Sequence, residues 1–322
     1  MDLPEHYAAL ARRIGRERLG VRVLRQATHW ARLTHQGEGV FQVERVVPID
    51  AVVAAVLRLC GLAARARRNF LDVRVVEREC WLRRLPSAFD GFRLMQITDL
   101  HLDLDPALVE VVQRLVGLTP HDAAVITGDY RNGTDNDFAS SVALTTRILP
   151  GLAKERWGTL GNHDFIEMVP LLEASGLPIL LNENAVIRRG GEELWIAGVD
   201  DAHFYRTHDL GAAASGIPRN ACRILLSHTP ELADAAAAEG YDLMLSGHTH
   251  GGQICLPGGR ALVVPARGLP RALIRGAWRV GGMEGYTSPG TGSCGVAARF
   301  NCPPEITVHV LRRGEPSRRN GT

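Results

Sequence analysis

An alternation of apolar, strand-like runs with helix-like segments begins at Phe92 and constrains the fold of this chain more than any other feature. Short apolar runs bounded by turn residues indicate buried strands, and longer segments with apolar residues three or four apart indicate helices. The pattern predicts strands at residues 92–98, 123–127 and 157–160, and helices at 106–116, 138–148 and 166–174. Such an alternation is typical of an α/β protein whose sheet carries helices on its faces.

Strand signals dominate the second half of the chain. They predict strands at residues 185–189, 194–199, 222–226, 243–245 and 306–311, with one short helix at 232–238. The 322 residues exceed a typical single domain, yet no linker-like segment interrupts the pattern after Phe92. We therefore predict one catalytic domain over residues 91–322 and an N-terminal extension over residues 1–90. Apolar clusters alternate with arginine in the first 50 residues, so we expect this extension to be partly helical.

The extension and the remainder differ in charge. Residues 1–90 hold 16 Lys and Arg against 10 Asp and Glu, whereas the remainder holds 21 against 25. A basic arm on an acidic body indicates contact with an anionic surface, either a membrane or a nucleic acid. The alternative is a coding bias, since every basic residue except Lys154 is arginine. Because the aromatic residues of the extension are too scattered to stack successive bases, we do not expect a nucleic-acid partner.

Composition and targeting signals narrow the class of protein. An apolar fraction of 45% with 22% charged residues excludes a disordered chain. Arginines occupy the first 20 residues where a secretory signal needs an apolar core, and the six cysteines lack paired metal spacing, so we expect a cytoplasmic protein with reduced thiols. The apolar run at residues 51–64 contains Arg58 and is shorter than the roughly 20 residues that span a bilayer. Two interpretations remain: residues 51–68 lie on the inner membrane surface, or they pack on the catalytic domain.

Five short polar motifs each follow one of the predicted strands. They are Asp99-Leu100-His101, Gly128-Asp129, Gly161-Asn162-His163-Asp164, Leu226-Ser227-His228 and Gly247-His248-Thr249-His250. Open α/β sheets bind ligands outside the carboxyl ends of their strands, so these motifs are expected to meet in one crevice. Any one motif alone is more often an ordinary turn or helix start. Five of them in this order, each at a strand exit, make a structural coincidence improbable.

The residue types in these motifs suit two divalent metal ions. A two-metal site needs a bridging carboxylate together with oxygen and imidazole ligands, and Asp129 in its tight turn is the natural bridge. Asp99 and His101 are close enough in sequence to share one ion, and Asn162 offers a neutral oxygen. Imidazole nitrogens accept manganese, zinc or iron alike, so the metal pair is not specified. The further imidazoles come from His228, His248 and His250.

This ordered set resembles that of the calcineurin-like metallophosphoesterases over about residues 92–311. The resemblance implies a central β-sandwich flanked by helices. It also assigns Asp99, His101, Asp129 and His250 to the first ion, and Asp129, Asn162, His228 and His248 to the second. His163 would protonate or stabilise the departing oxygen, and Asp164 would orient His163.

The residues themselves support the same reaction. Two cations lower the pKa of a bridging water, so that the resulting hydroxide can attack phosphorus in line. The imidazole of His163 adjoins a predicted ligand and titrates near neutrality, which suits a general acid; the alternative is a merely packed side chain. We therefore predict an enzyme that hydrolyses a phosphodiester or pyrophosphate bond.

Arg131 and Arg299 are candidate contacts to a substrate phosphate, although exposed arginines are common without that role. His203 and His208 lie in loop-like sequence and are candidates for lining the pocket.

The Gly-Gln after the double-histidine motif and the Gly285-Tyr286-Thr287-Ser288 segment resemble a bacterial subgroup of membrane-associated phosphodiesterases. Relatives in that subgroup hydrolyse UDP-2,3-diacylglucosamine, which implies a lipid-linked or nucleotide-linked substrate. The chain departs from the subgroup at Pro289, where arginine is expected, and in its short, charged apolar run. Two other functions stay open: a metal-dependent nuclease, and a non-catalytic scaffold that keeps the phosphoesterase fold. Intact Asn162-His163-Asp164 argues against the scaffold, because such a protein needs none of these residues.

Overall fold

A computed structural model describes residues 5–34, 49–133, 138–261, 264 and 268–315. The amphipathic pattern predicted for the first 50 residues therefore lies partly outside the described residues. The helices are α1 Glu5–Ile14, α2 Arg16–Thr34, α3 Ile49–Leu59, α4 Ala63–Leu71, α5 Ala107–Leu118, α6 Ala139–Ile148, α7 Met168–Ala174, α8 Leu210–Ala213 and α9 Ala233–Ala238. The strands are β1 Arg74–Leu82, β2 Arg93–Ile97, β3 Ala123–Thr127, β4 Arg156–Thr159, β5 Glu183–Arg189, β6 Glu192–Gly198, β7 Arg223–Leu226, β8 Leu243–Ser246, β9 Gly276–Val280, β10 Met283–Thr287 and β11 Glu305–Arg313.

The strands form two sheets. The first sheet has the order β1-β11-β2-β3-β4, and the second has the order β5-β6-β7-β8-β10-β9. Strands β2, β3 and β4 run parallel to one another, as do β6, β7, β8 and β10. Parallel neighbours place their carboxyl ends on the same edge, which is the condition for polar motifs from separate strands to meet.

Residue alternation along the strands separates three apolar layers. Leu94 of β2 and Leu226 of β7 belong to one cluster between the sheets, so the two sheets pack face to face. Met95, one position after Leu94, faces the opposite side and packs with helices α5, α6 and α7. Met244 of β8 packs against α9 on the outer face of the second sheet. This β-sandwich with helices on both outer faces confirms the predicted fold class.

The N-terminal helices pack on this sandwich. Leu10, Ile14 and Leu19 are buried in the same cluster as Met95. Strand β1 lies before residue 90, where we predict a domain boundary, yet it pairs in parallel with β11 along its whole length. Residues 74–82 are thus part of the first sheet.

The segment predicted to contact a membrane forms two helices that differ in burial. Helix α4 is fixed to the body by Ala66 and Phe70, which are buried. Helix α3 leaves Val52, Val56 and Leu59 exposed, with Leu59 88% exposed. None of the helices in the described ranges is both long and apolar enough to cross a membrane. The six cysteines are all free.

Candidate metal centre

All seven predicted ligands leave their strands at one edge of the sandwich. Asp99 follows β2, Asp129 follows β3 and Asn162 follows β4, while His228 follows β7 and His248 follows β8. The remaining two ligands, His101 and His250, stand two residues after the first ligand of their motifs. The strand-exit placement predicted from the sequence is therefore the placement that the structure shows.

The chain turns sharply at these exits. Among the described residues, nine that are not glycine have a positive φ, and five of the nine are predicted ligands: Asp99, His101, Asp129, His248 and His250. A positive φ is strained for residues with a Cβ and concentrates at functional sites, where surrounding contacts hold it. The conformation is thus consistent with a site built for ligand geometry rather than for local backbone preference.

The polar side-chain atoms converge on Asp129. Its Oδ2 lies 3.2 Å from His228 Nε2 and 3.6 Å from His101 Nε2. His101 Nε2 also lies 3.3 Å from His250 Nε2, and His228 Nε2 lies 3.1 Å from Asn162 Oδ1. Asp129 therefore stands between imidazoles from both sheets, as a bridging ligand must.

Backbone carbonyls orient two of the imidazoles. His101 Nδ1 lies 2.7 Å from the Arg131 carbonyl oxygen, and His228 Nδ1 lies 2.8 Å from that of Thr127. Each carbonyl can only accept, so each Nδ1 carries a proton and each Nε2 is the ring nitrogen that faces the cluster. Fixing the tautomer in this way is the usual outer support of a metal-bound histidine.

The burial of the imidazoles leaves them ready to bind a cation. Burial lowers the pKa of His101 to about 3, and it holds the pKa values of His248 and His250 well below their usual range. Neutral imidazole is the form that ligates metals. His248 Nε2 is buried and has no hydrogen-bond partner among the described residues. A buried polar atom without a partner is costly, and a bound metal ion would satisfy it, so these residues fit divalent ions.

The carboxylates and His228 are coupled electrostatically. Burial acts to raise the pKa of Asp129, but the facing His228 holds it well below its usual range. In return, burial acts to lower the pKa of His228, and Asp129 outweighs this and raises it to about 10. Burial raises the pKa of Asp99 to about 6. Before cations bind, a proton on His228 thus compensates the charge of Asp129.

Two glycines allow the motifs to approach closely. A Cβ on Gly161 would lie 2.2 Å from Asp129 Oδ1, and a Cβ on Gly247 would lie 2.3 Å from Asp99 Oδ2. Both distances are far below van der Waals contact, so only glycine fits. Each glycine thereby leaves room for a carboxylate at the metal centre.

The ring of His163 lies beside that of the predicted ligand His101, with ring centroids 5.0 Å apart. Its Nδ1 lies 2.8 Å from the Asn132 carbonyl oxygen, so Nδ1 carries a proton and Nε2 points toward Cys294, with Sγ at 3.6 Å. Burial acts to lower the pKa of His163, but Asp129 and Cys294 outweigh it and hold the pKa well above its usual range. His163 is half-buried, whereas Asp129 is 2% exposed. The imidazole is therefore held in one orientation at the accessible side of the cluster.

Asp164 has a different role from the predicted one. Its Oδ2 accepts the backbone N–H groups of Asp129 and Gly161, both at 2.8 Å, and its Oδ1 accepts that of Tyr130 at 2.9 Å. The prediction that Asp164 orients the His163 ring is wrong, because the Asn132 carbonyl holds that ring. Asp164 instead fixes the backbone of the two turns that carry the predicted ligands Asp129 and Asn162.

The two arginines predicted to meet a substrate phosphate are both fully buried. Arg131 stacks over Phe165 at 4.4 Å, and its Nε donates to the Gly133 carbonyl. Arg299 donates to the carbonyls of Gly292 and His250, and one Nη lies 3.2 Å from His250 Nδ1. Neither guanidinium reaches the surface, which argues against both predicted contacts. Arg299 instead supports the turn that carries the predicted ligand His250.

Cys294 is a residue of this site that sequence reasoning missed. Ligand atoms of Cys294, His101 and His250 lie within 4.8 Å of one another. No motif marked this cysteine, because it lies in a loop far along the chain. The sequence indicates this cysteine only indirectly, through Gln253 of the Gly-Gln pair that follows the double-histidine motif. Gln253 accepts the Cys294 N–H at 2.9 Å and donates to the Cys294 carbonyl at 3.0 Å.

Of the two histidines suggested for the pocket wall, one contacts a predicted ligand. The His203 ring packs on that of His248 with centroids 4.2 Å apart, and its Nδ1 lies 2.9 Å from Glu231 Oε2. His208 shares no such contact with the described ligands, and burial lowers its pKa.

Comparison with known sequences gives one family model and several relatives. The calcineurin-like phosphoesterase model matches residues 92–252, which contain all five motifs. The uncharacterized metallophosphoesterase YkoQ of Bacillus subtilis is 28% identical over 80% of this chain and 97% of its own length. The phosphodiesterase YaeI of Escherichia coli is 32% identical over 68% of this chain and 82% of its own length. A zebrafish (Danio rerio) transmembrane protein with a metallophosphoesterase domain is 31% identical over 84% of this chain and 63% of its own length.

Proposed function

Because the chain belongs to the calcineurin-like phosphoesterase family and is a metal-dependent phosphoric ester hydrolase, we propose that it cleaves a phosphodiester or pyrophosphate bond. The observation that carries this proposal is the convergence of His101 and His228 on Asp129, beside the unpartnered His248 Nε2. The relative named a phosphodiesterase supports the choice of a diester over a monoester.

The predicted metal ligands and the residues that support them have separate roles. Asp99, His101, Asp129 and His250 would hold one ion, and Asp129, Asn162, His228 and His248 the second. Bound divalent cations supply Lewis acidity, which activates water and neutralises charge on the phosphoryl oxygens. Asp164 keeps the turns of Asp129 and Gly161 in place.

His163 completes the chemistry as the proton donor. The Asn132 carbonyl holds its ring, and the nearby Asp129 and Cys294 hold the pKa of His163 well above its usual range in the cation-free protein. A leaving alkoxide or phosphate needs a proton as its bond to phosphorus breaks, and a positioned acid typically contributes about 10²–10⁴-fold in rate.

The test is hydrolysis by chelator-stripped protein after addition of manganese, zinc or iron. We expect turnover of bis-p-nitrophenyl phosphate to return with metal and to exceed that of p-nitrophenyl phosphate. Plasmid DNA serves as a third substrate, since its cleavage would favour a nuclease. Metal binding without turnover of any of the three substrates would contradict the proposal and favour a scaffold.

We also propose that the substrate is lipid-linked or nucleotide-linked and that helix α3 rests on an anionic membrane surface from the inner side. Its exposed side chains Val52, Val56 and Leu59 follow one face at helical spacing, and Arg58 and Arg68 are exposed nearby. The start of this helix lies close to the site, because Asp50 packs against Gly295, the residue after Cys294. A Cβ on Gly295 would lie only 2.2 Å from Asp50 Oδ1. A substrate anchored in lipid would therefore meet the enzyme close to its metal centre.

Vesicle sedimentation tests this membrane contact. We expect the protein to sediment with phosphatidylglycerol vesicles more than with phosphatidylcholine vesicles, and Leu59→Glu to abolish the difference. Leu171→Glu is the matched control, because Leu171 is also an exposed leucine, at 42%, but lies on helix α7. Equal sedimentation of Leu59→Glu and the wild type would contradict the proposal.

A further inference from the structure

A groove of about 330 Å³ adjoins the metal centre on the side of the double-histidine motif. Gly251 lines the groove and directly follows the predicted metal ligand His250 in the sequence, so the groove borders the turn that carries this ligand. Its charged side chains are Arg260, Arg271 and Arg275. Among the described residues, no Asp or Glu lines this groove.

Two of these arginines are open to a ligand. Arg260 and Arg271 are exposed, and neither guanidinium group has a hydrogen bond or ion pair to another described residue. This distinguishes them from Arg131 and Arg299, whose guanidinium groups are buried in the protein. Guanidinium groups bind phosphate oxygens through paired N–H donors, and several of them around one concavity favour a polyanionic ligand.

Arg275 couples the groove to the metal ligands. Its Nη1 lies 3.4 Å from Cys302 Sγ, and that sulfur lies 3.3 Å from the His250 carbonyl oxygen. A Cβ on Gly251 would lie 2.8 Å from Arg275 Cδ, so glycine is required for the arginine to pass so close to the turn. The Thr249 hydroxyl also donates to the Ile274 carbonyl at 2.6 Å. The groove and the double-histidine motif are therefore held together.

We propose that this arginine groove binds a second phosphoryl group of the substrate, next to the one that is cleaved. The inference rests on the proposed function, because the metal centre must receive the scissile phosphate. It narrows the substrate class to compounds with two adjacent phosphoryl groups, such as a nucleoside diphosphate or a diphosphate-linked lipid. A diester with a single phosphate lacks the group that the arginines recognise.

Binding to chelator-stripped, full-length protein tests the groove without any catalysis. Isothermal titration with inorganic pyrophosphate is expected to show binding by the wild type and a loss of affinity of about tenfold or more in Arg271→Ala and in Arg260→Ala. Arg219→Ala is the matched control, since Arg219 is exposed but lies outside the groove, and it should bind like the wild type. Thermal unfolding verifies that all variants fold alike.

Two further probes separate the sources of the second phosphate. UDP represents a nucleotide, and phosphatidic acid in phosphatidylcholine vesicles represents a lipid. Weaker binding of pyrophosphate and of either probe by Arg271→Ala supports the proposal and names the source. Wild-type affinity of both groove variants for all probes, or no pyrophosphate binding by the wild type, overturns it. If metal-loaded protein still hydrolyses diesters in that case, the proposed function is supported and the groove proposal is contradicted. If the groove binds pyrophosphate but metal-loaded protein hydrolyses nothing, the groove proposal is supported and the proposed function is contradicted.

Discussion

The two sheets make unequal contributions to the metal centre. Of the predicted ligands, the first sheet supplies every oxygen ligand and one imidazole, whereas the second supplies imidazoles only. The members are Asp99, His101, Asp129 and Asn162 from the first, and His228, His248 and His250 from the second. Both carboxylates of the predicted ligand set thus come from the first sheet, and bound cations would link them to the imidazoles of the second.

The second sheet's ligands are also positioned by the first half of the chain. His228 Nδ1 is held by the Thr127 carbonyl at the end of β3. The His248 N–H donates to both oxygens of Asp99, at 3.0 and 3.1 Å. Substitutions in the first half should therefore disturb both sets of ligands, whereas substitutions in the second half should act locally.

The largest effect is expected for Asp129→Ala. Its carboxylate contacts imidazoles of both sheets, so its loss should remove turnover of bis-p-nitrophenyl phosphate down to the metal-free background. His248→Ala should retain measurable turnover, because the first-sheet ligands stay intact. Asp234→Ala, an exposed substitution on helix α9, should behave like the wild type. Equal residual turnover in Asp129→Ala and His248→Ala would contradict the claim that the two sheets contribute unequally to the metal centre.

The next effect concerns His163, which belongs to the first half but is not a predicted ligand. His163→Gln should lower the rate for a poor leaving group by about 10²–10⁴-fold, because the departing oxygen loses its proton donor. The loss should be smaller for p-nitrophenyl esters, whose leaving group needs little protonation. Metal content, measured by mass spectrometry, should stay unchanged. A loss independent of the leaving group would indicate a packing role instead.

Asp164→Asn is expected to act through the backbone. The amide nitrogen replaces one of the two carboxylate oxygens, so it can no longer accept either from the N–H group of Tyr130 or from those of Asp129 and Gly161, and a buried unpaired donor costs about 1–3 kcal/mol. We expect a lower unfolding temperature and about 10–100-fold weaker metal binding, as for other outer supports of metal ligands. Calorimetry and metal titration measure both. Normal stability with a reduced rate would restore the predicted role of Asp164 in orienting His163.

The smallest effect is the release of protons on metal loading. His228 has a pKa of about 10 while it faces Asp129 without a cation, so it is protonated at neutral pH and must lose that proton to bind a metal. Apparent metal affinity should therefore rise with pH from neutral toward 10. Titration enthalpies measured near pH 7 should vary with the ionisation enthalpy of the buffer. Enthalpies that do not depend on the buffer would show that His228 is already neutral.

Strands that carry motifs were predictable from sequence because each is a short apolar run with a polar exit. The bounds predicted for β3 are the observed ones, and helix α6 differs by one residue. Strand β1 was missed, because its alternation of Arg and Glu with apolar residues reads as part of a basic extension. It forms a strand because β11 pairs with it, and that partner lies more than 200 residues away.

The candidate site was predictable to the extent that its chemistry lies in short motifs. Residues that act through the folded chain were not. Arg299 looks like a phosphate contact in sequence, but its guanidinium supports the His250 turn from the interior. Cys294 reaches His163 only because a loop from the far end of the chain folds over the site. Such roles depend on long-range packing, which local sequence does not encode.

Metal content per chain tests the central claim most directly, namely that ligands of both sheets hold divalent cations around Asp129. The wild-type protein, reloaded with manganese or zinc and desalted, is examined by mass spectrometry beside Asp129→Ala and His248→Ala. We predict about two ions in the wild type, about one in His248→Ala and none retained in Asp129→Ala. Wild-type metal content in Asp129→Ala would contradict the claim.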